Sequence, residues 1–80
     1  VPVDGVGRVA PEALGAAVDG ETALVCVVHG QPDIGTLQDA AGLVGAARAA
    51  REEARVVIDA GETAGRLPLD AAALGADAVV

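Results

Sequence analysis

Polar side chains follow two apolar segments of the chain, and their types suit ligand binding. Residues 29–36 read HGQPDIGT and follow the apolar run TALVCVV, while residues 59–66 read DAGETAGR and begin where RVVID ends. If both apolar segments are parallel strands, these side chains lie at the sheet edge where α/β proteins bind ligands. An acid at the end of an apolar strand is costly to bury unless it is paired. Asp59 is therefore the principal candidate for a ligand-facing carboxylate.

Each of these residues also has a purely structural interpretation. Asp59 could cap a helix or pair with Arg66, and Asp33 or Thr36 could cap the helix that follows the first group. Cys26 lies within an apolar run, where a cysteine most often behaves as a small buried hydrophobe. The spacing alone leaves these alternatives open for the acids, but it favours the structural role for Cys26.

The chain lacks the residues that several other kinds of functional site require. The chain contains no GxGxxG fingerprint, no phosphate-binding loop, no serine and no lysine, and it has a single histidine and a single cysteine. A metal site built on cysteine and histidine pairs and a serine-based nucleophilic triad are therefore not expected. We assign no catalytic residue within these 80 residues.

Strand and helix patterns alternate along the chain and predict an α/β fold with a mostly parallel sheet. Two strands are apolar throughout, as expected when helices cover both faces of a sheet. The predicted strands are Val1–Val3, Thr22–His29, Arg55–Asp59 and Ala78–Val80, with 30–35 as a loop. The predicted helices run from about Ala10 to Asp19, from Leu37 to Glu53, and over Ala71–Leu74 behind an Asp70 cap.

Composition limits the partners and the compartment. The formal charge of −7 and the isoelectric point of about 4.2 argue against binding to nucleic acid or to an anionic membrane surface. No run of 18 apolar residues occurs, so no transmembrane helix is expected. The N-terminal residues do not resemble a signal peptide, and one cysteine fits a reducing cytoplasm. With 52% hydrophobic residues but no aromatic ones, the chain is expected to complete its core against something else.

Two long segments together resemble the cysteine desulfurases, which are class V, fold-type I enzymes that depend on pyridoxal 5'-phosphate (PLP). The segments are VDGVGRVAPEALGAAVDGETALVCVVHGQPDIGTLQD and VVIDAGETAGRLPLDAAALGADAVV, residues 3–39 and 56–80. The resemblance implies that residues 1–80 form a single fragment of the PLP-binding large domain. Such a fragment would make up about a fifth of an enzyme that is a homodimer.

The resemblance also implies roles for individual residues. Asp59 matches the aspartate that pairs with the pyridine nitrogen of PLP, where a carboxylate stabilises the protonated ring. Glu62 stands where the family has a glutamine that hydrogen-bonds the phenolic oxygen of the cofactor, and an ionised glutamate can only accept. Gln31 and Pro32 stand where the family has two asparagines, and the second asparagine also hydrogen-bonds the phenolic oxygen. Gln31 could take the place of that second asparagine by a shift of one position. His29 matches a family histidine, to which we assign no catalytic role.

The implied reaction is the removal of sulfur from L-cysteine, which gives alanine and an enzyme persulfide. The family's cofactor-binding lysine is expected beyond residue 80, so the 80 residues alone are expected to be inactive. Cys26 is not at the position of the family's persulfide-forming cysteine.

The departures at 31, 32 and 62 support an alternative, a non-catalytic relic or interaction module. A small flavodoxin-like or receiver-like binding domain is a third interpretation. The residues do not distinguish among substrates within the class V family.

Overall fold

The computed structural model describes residues 1–31, 33, 35–66 and 70–80, and helices alternate with the strands of its larger sheet. This pattern confirms the predicted α/β class. In chain order the elements are α1 (Pro11–Ala17), β1 (Leu24–Val28), β2 (Gly30–Gln31), β3 (Thr36–Leu37), α2 (Ala40–Ala50), β4 (Arg55–Asp59), α3 (Ala71–Leu74) and β5 (Ala78–Val79).

The main sheet is parallel and has the order β1-β4-β5, so β4 lies in the centre. Val28 at the end of β1 is the register partner of Asp59 at the end of β4. Both strands therefore end at one edge of the sheet, which we call the carboxyl edge. The expected juxtaposition of the two polar loops follows from this register.

The core lies on one face of this sheet. Val25, Val27, Val56 and Ile58 alternate inward along β1 and β4 and meet the buried side of α2, which consists of Ala40, Leu43, Val44 and Ala47. Leu14 of α1 and Leu74 of α3 pack against the same cluster. All three helices thus contribute to one side of the sheet.

The prediction that both faces are buried is wrong for the residues that the structure describes. Leu24, Cys26 and Val28 of β1 are exposed, in a burial pattern that alternates strictly along the strand. The cause is the one-sided helix layer, because apolar residues on the opposite face have no described element to pack against. The predicted burial of Cys26 fails for the same reason.

Several element boundaries also differ from prediction. Helix α1 is Pro11–Ala17, β1 is Leu24–Val28 and α2 ends at Ala50, so each is shorter than expected. Val1–Val3 forms no strand, because a turn at Asp4 follows it and no neighbouring strand pairs with it. The predicted loop after β1 contains β2, which forms a short antiparallel ladder with β3. Helix α2 begins at Ala40 because Asp39 is its N-cap and accepts a hydrogen bond from the Gly42 N–H at 3.0 Å. Neither Asp33 nor Thr36 caps this helix.

The opposite end of the sheet is held by Asp77, which precedes β5. Its carboxylate accepts from the Val56 N–H at 2.7 Å and from Arg48 Nη2 at 2.8 Å. The Arg55 guanidinium lies 3.5 Å away. The Val56 N–H, followed by Arg48, lowers the pKa of Asp77 below its usual value. These contacts connect β4, α2 and the start of β5, away from the carboxyl edge.

Candidate functional site

Asp59 ends the central strand β4, and its side chain is exposed at the carboxyl edge. Its Oδ1 accepts a hydrogen bond from the Gly61 N–H at 3.1 Å. Ion pairs between described residues involve Asp77 with Arg48 and Arg55, so the alternative pairing of Asp59 with Arg66 is not formed. No helix begins at Asp59 either. The carboxylate is therefore accessible to a ligand.

The loop after β4 is a compact set of turns. Ala64 N–H donates to the Ala60 carbonyl at 2.8 Å, and Arg66 N–H donates to the Thr63 carbonyl at 3.0 Å. Gly65 has φ +82°, a conformation that side-chain-bearing residues rarely adopt. These turns leave Glu62 exposed and direct Thr63 inward, where it is buried.

Gln31 and Glu62, which are far apart in the sequence, line the same open cavity. Its volume is about 190 Å³, and Thr63 and Arg66 also line it. Gln31 belongs to β2, whose pairing with β3 fixes the backbone on that side. The described lining is largely apolar but includes an amide, a carboxylate and a guanidinium, so this cavity can offer a ligand both donors and acceptors. Asp59 is not one of the lining residues.

Pro32 lies outside the described residues. Proline has no side-chain amide, so Pro32 cannot supply the hydrogen bond that the resemblance implies for an asparagine at this position.

Sequence reasoning did not find a buried hydrogen bond between His29 and Thr63. His29 Nδ1 lies 2.7 Å from Thr63 Oγ1, and both residues are buried. The two residues are 34 positions apart, so only the parallel register of β1 and β4 brings them together. In the sequence, the only indication of this hydrogen bond is a histidine immediately after an apolar strand, and that pattern does not identify Thr63 as its partner.

Of the helices in the described part of the chain, none is long and apolar enough to cross a membrane. Over residues 1–31, 33, 35–66 and 70–80, no three histidine, cysteine or acidic side chains are grouped as a metal site requires.

The accessible acid at the end of the central strand lies where open α/β sheets bind ligands. The family model for aminotransferase class-V matches residues 1–80. The chain therefore belongs to the aminotransferase class-V family. This membership confirms the resemblance proposed from the sequence and excludes the receiver-like interpretation.

A solved structure agrees with the family assignment. The chain is similar to a NifS-like protein, with 33% sequence identity and a TM-score of 0.90. The match covers 98% of this chain and 22% of the NifS-like protein. No curated protein matches the chain significantly.

Proposed function

We propose that these residues form part of the cofactor site of a PLP-dependent, cysteine desulfurase-like enzyme. The observation that carries this proposal is the accessible carboxylate of Asp59 at the end of the central strand of a class V domain. The described residues fit PLP at its pyridine end, because an accessible carboxylate is the group that a protonated pyridine nitrogen needs. When bound, PLP supplies an electron sink for the bonds around the α-carbon of an amino acid.

The residues of this chain would bind and orient the cofactor. Asp59 would keep the proton on the pyridine nitrogen, because its negative charge favours the protonated ring. Gln31 would donate its amide N–H to the phenolic oxygen. Glu62 shares a cavity with Gln31, but its ionised carboxylate has only acceptors to offer there. This arrangement supports a cofactor held mainly through Asp59 and Gln31.

The proposed reaction moves the sulfur of L-cysteine to a protein thiol. The C–S bond of the substrate breaks, its carbon takes up a proton to give alanine, and the acceptor thiol becomes a persulfide. The lysine and the acceptor cysteine would be supplied outside these 80 residues, which contain no lysine. We further propose a homodimer in the cytoplasm, supported by the class V family and by one exposed cysteine without a partner cysteine.

The test uses the longest natural polypeptide that contains these residues, here called the parent polypeptide. PLP binding is followed by the visible absorbance of the cofactor, and turnover by alanine formation from L-cysteine. Asp59→Asn should lower turnover by about 10- to 100-fold, because a charge-assisted hydrogen bond contributes about 1.5–3 kcal/mol. Glu53→Gln, which removes an equal charge from an exposed position before β4, should behave as wild type.

A second candidate function is a non-catalytic relic or interaction module with the same fold. It is favoured by Glu62, whose carboxylate stands in place of the family's amide donor. If the wild-type parent polypeptide gives no PLP absorbance band, the relic is supported and the enzyme proposal is wrong. PLP binding without alanine formation would support the proposed cofactor site but contradict the desulfurase reaction.

A further inference from the structure

His29 is fixed at the carboxyl edge by hydrogen bonds from its backbone. Its N–H donates to the Asp59 carbonyl at 2.9 Å, and its own carbonyl accepts from the Gln38 N–H at 2.8 Å. The residue is only 8% exposed. The backbone of His29 thus extends the ladder between β1 and β4 directly beside the candidate cofactor residue.

The imidazole ring needs a partner because buried polar atoms are nearly always hydrogen-bonded. Its Nδ1 lies 2.7 Å from Thr63 Oγ1, and among the described residues its Nε2 has no such partner. Part of the residue is exposed, because His29 keeps 8% of its accessible surface. With Nδ1 occupied by Thr63, Nε2 is the ring nitrogen that is left for a further partner at the carboxyl edge.

The hydroxyl of Thr63 can donate or accept, and its choice sets the tautomer of the ring. The described hydrogen bonds offer the hydroxyl proton one acceptor, His29 Nδ1. If the hydroxyl donates, Nδ1 is the acceptor and the ring proton of a neutral imidazole lies on Nε2. This assignment satisfies the buried hydroxyl as well as the buried ring nitrogen.

Packing restricts the rotamer of Thr63 as well. Its N–H donates to the Ala60 carbonyl at 3.1 Å, which fixes the backbone. Its methyl group lies so close to Gly30 that a Cβ added to Gly30 would be 2.6 Å from Thr63 Cγ2. With the methyl group against Gly30, the hydroxyl is left on the side that faces His29.

We propose that Thr63 is a positioning residue whose hydroxyl holds His29 in the Nε2–H tautomer, with Nε2–H as a donor for a ligand at the carboxyl edge. The ligand class is one with a hydrogen-bond acceptor, which PLP and an amino-acid substrate both provide. The tautomer assignment is independent of the proposed function. The link between His29 and ligand binding rests on the proposed function.

The direct test is ¹⁵N NMR of the histidine ring in the cofactor-free parent polypeptide. The His29 signals are identified by their loss in His29→Gln. We expect wild type to show a protonated Nε2 and an unprotonated Nδ1 that accepts a hydrogen bond. A proton on Nδ1 in wild type would overturn the proposal without any variant at Thr63.

Two substitutions at Thr63 separate its hydroxyl from its shape. Thr63→Val keeps the branched shape but removes the hydroxyl, so the ring should become a mixture of tautomers. Thr63→Ser keeps the hydroxyl and should preserve the wild-type ring signals. Circular dichroism checks that both variants are folded. Wild-type ring signals in folded Thr63→Val would contradict the role of the hydroxyl.

The link to the ligand is tested with PLP itself as the probe. We expect Thr63→Val to raise the Kd for PLP by about 5- to 30-fold and Thr63→Ser to change it by less than about twofold. An unchanged Kd in Thr63→Val would show that the ring orientation does not serve the cofactor. If wild type binds no PLP, the proposed function fails while the tautomer measurement still decides the role of Thr63.

Discussion

Glu62 differs chemically from an amide although the two side chains have nearly the same shape. An ionised carboxylate has no donor, whereas a glutamine at this position would offer two N–H groups to an oxygen anion. Glu62 is exposed and lines a cavity together with Gln31. A phenolate bound in this cavity would therefore meet donors from Gln31 and Arg66 but also the negative charge of Glu62.

Glu62→Gln should therefore strengthen PLP binding by the parent polypeptide. The substitution removes a repulsive charge and adds a donor, so we expect the Kd for PLP to fall about tenfold, equivalent to about 1.4 kcal/mol. The measurement is an absorbance titration with PLP. Glu53→Gln is the matched control and should leave the Kd unchanged. Weaker binding by Glu62→Gln would show that Glu62 does not face the cofactor.

The sequence identified the candidate site residues that stand at strand ends, because a strand pattern predicts where a strand stops. Asp59 ends β4, as the run RVVID suggested. Burial of Thr63 and its bond to His29 depend on turns in the loop after β4, which bring together residues distant in sequence. No local pattern contains that information, so this pair was found only in the structure.

Gly30 of β2 contacts Thr63 in the loop after β4, so the two residues connect the segments that follow β1 and β4. Gly30→Ala should destabilise this contact, because the new Cβ would lie 2.6 Å from Thr63 Cγ2. Overpacking of this kind costs about 1–3 kcal/mol in the free energy of unfolding. Urea denaturation of the parent polypeptide measures the loss.

The double variant Gly30→Ala/Thr63→Ser provides the control for this prediction. Serine lacks the Cγ2 atom that the new Cβ would meet, so the second substitution should restore most of the lost stability. Equal destabilisation in the single and double variants would place the cause elsewhere in the loop.

Helix and strand boundaries were predictable where one local signal decides them. Asp70 precedes α3 and its Oδ1 accepts from the N–H groups of Ala72 and Ala73, at 3.1 and 3.2 Å. The apolar spacing, by contrast, predicts a helix from Leu37, whereas in the structure Leu37 pairs with Gly30 in a two-residue ladder. Its apolar side chain suits either structure, and only the neighbouring segment determines which one forms.

The molecule as a whole should lose stability in acid partly through Asp77. Its pKa is lowered in the folded state, by the Val56 N–H first and by Arg48 next. An unfolded aspartate titrates near pH 3.9. The stabilisation is therefore fully present above that pH and is lost as the pH falls through the lower folded pKa.

Asp77→Asn should accordingly lower stability at pH 7 and make the decline below about pH 4 less steep. Urea denaturation of the parent polypeptide at a series of pH values measures both effects. Glu53→Gln provides the comparison for the loss of one negative charge. Parallel pH profiles for wild type and Asp77→Asn would show that Asp77 does not contribute to the acid sensitivity.

The position of β1 in the sheet has a consequence for handling the 80-residue chain alone. Among the described residues β1 pairs only with β4, so its other side presents unpaired backbone groups. Its sequence LVCVV carries no charge or proline, and Leu24 is 58% exposed. Such an edge is a template for adding further strands. We expect concentrated solutions of the isolated chain to aggregate through intermolecular β-structure, with Val28 and Cys26 inside the contact.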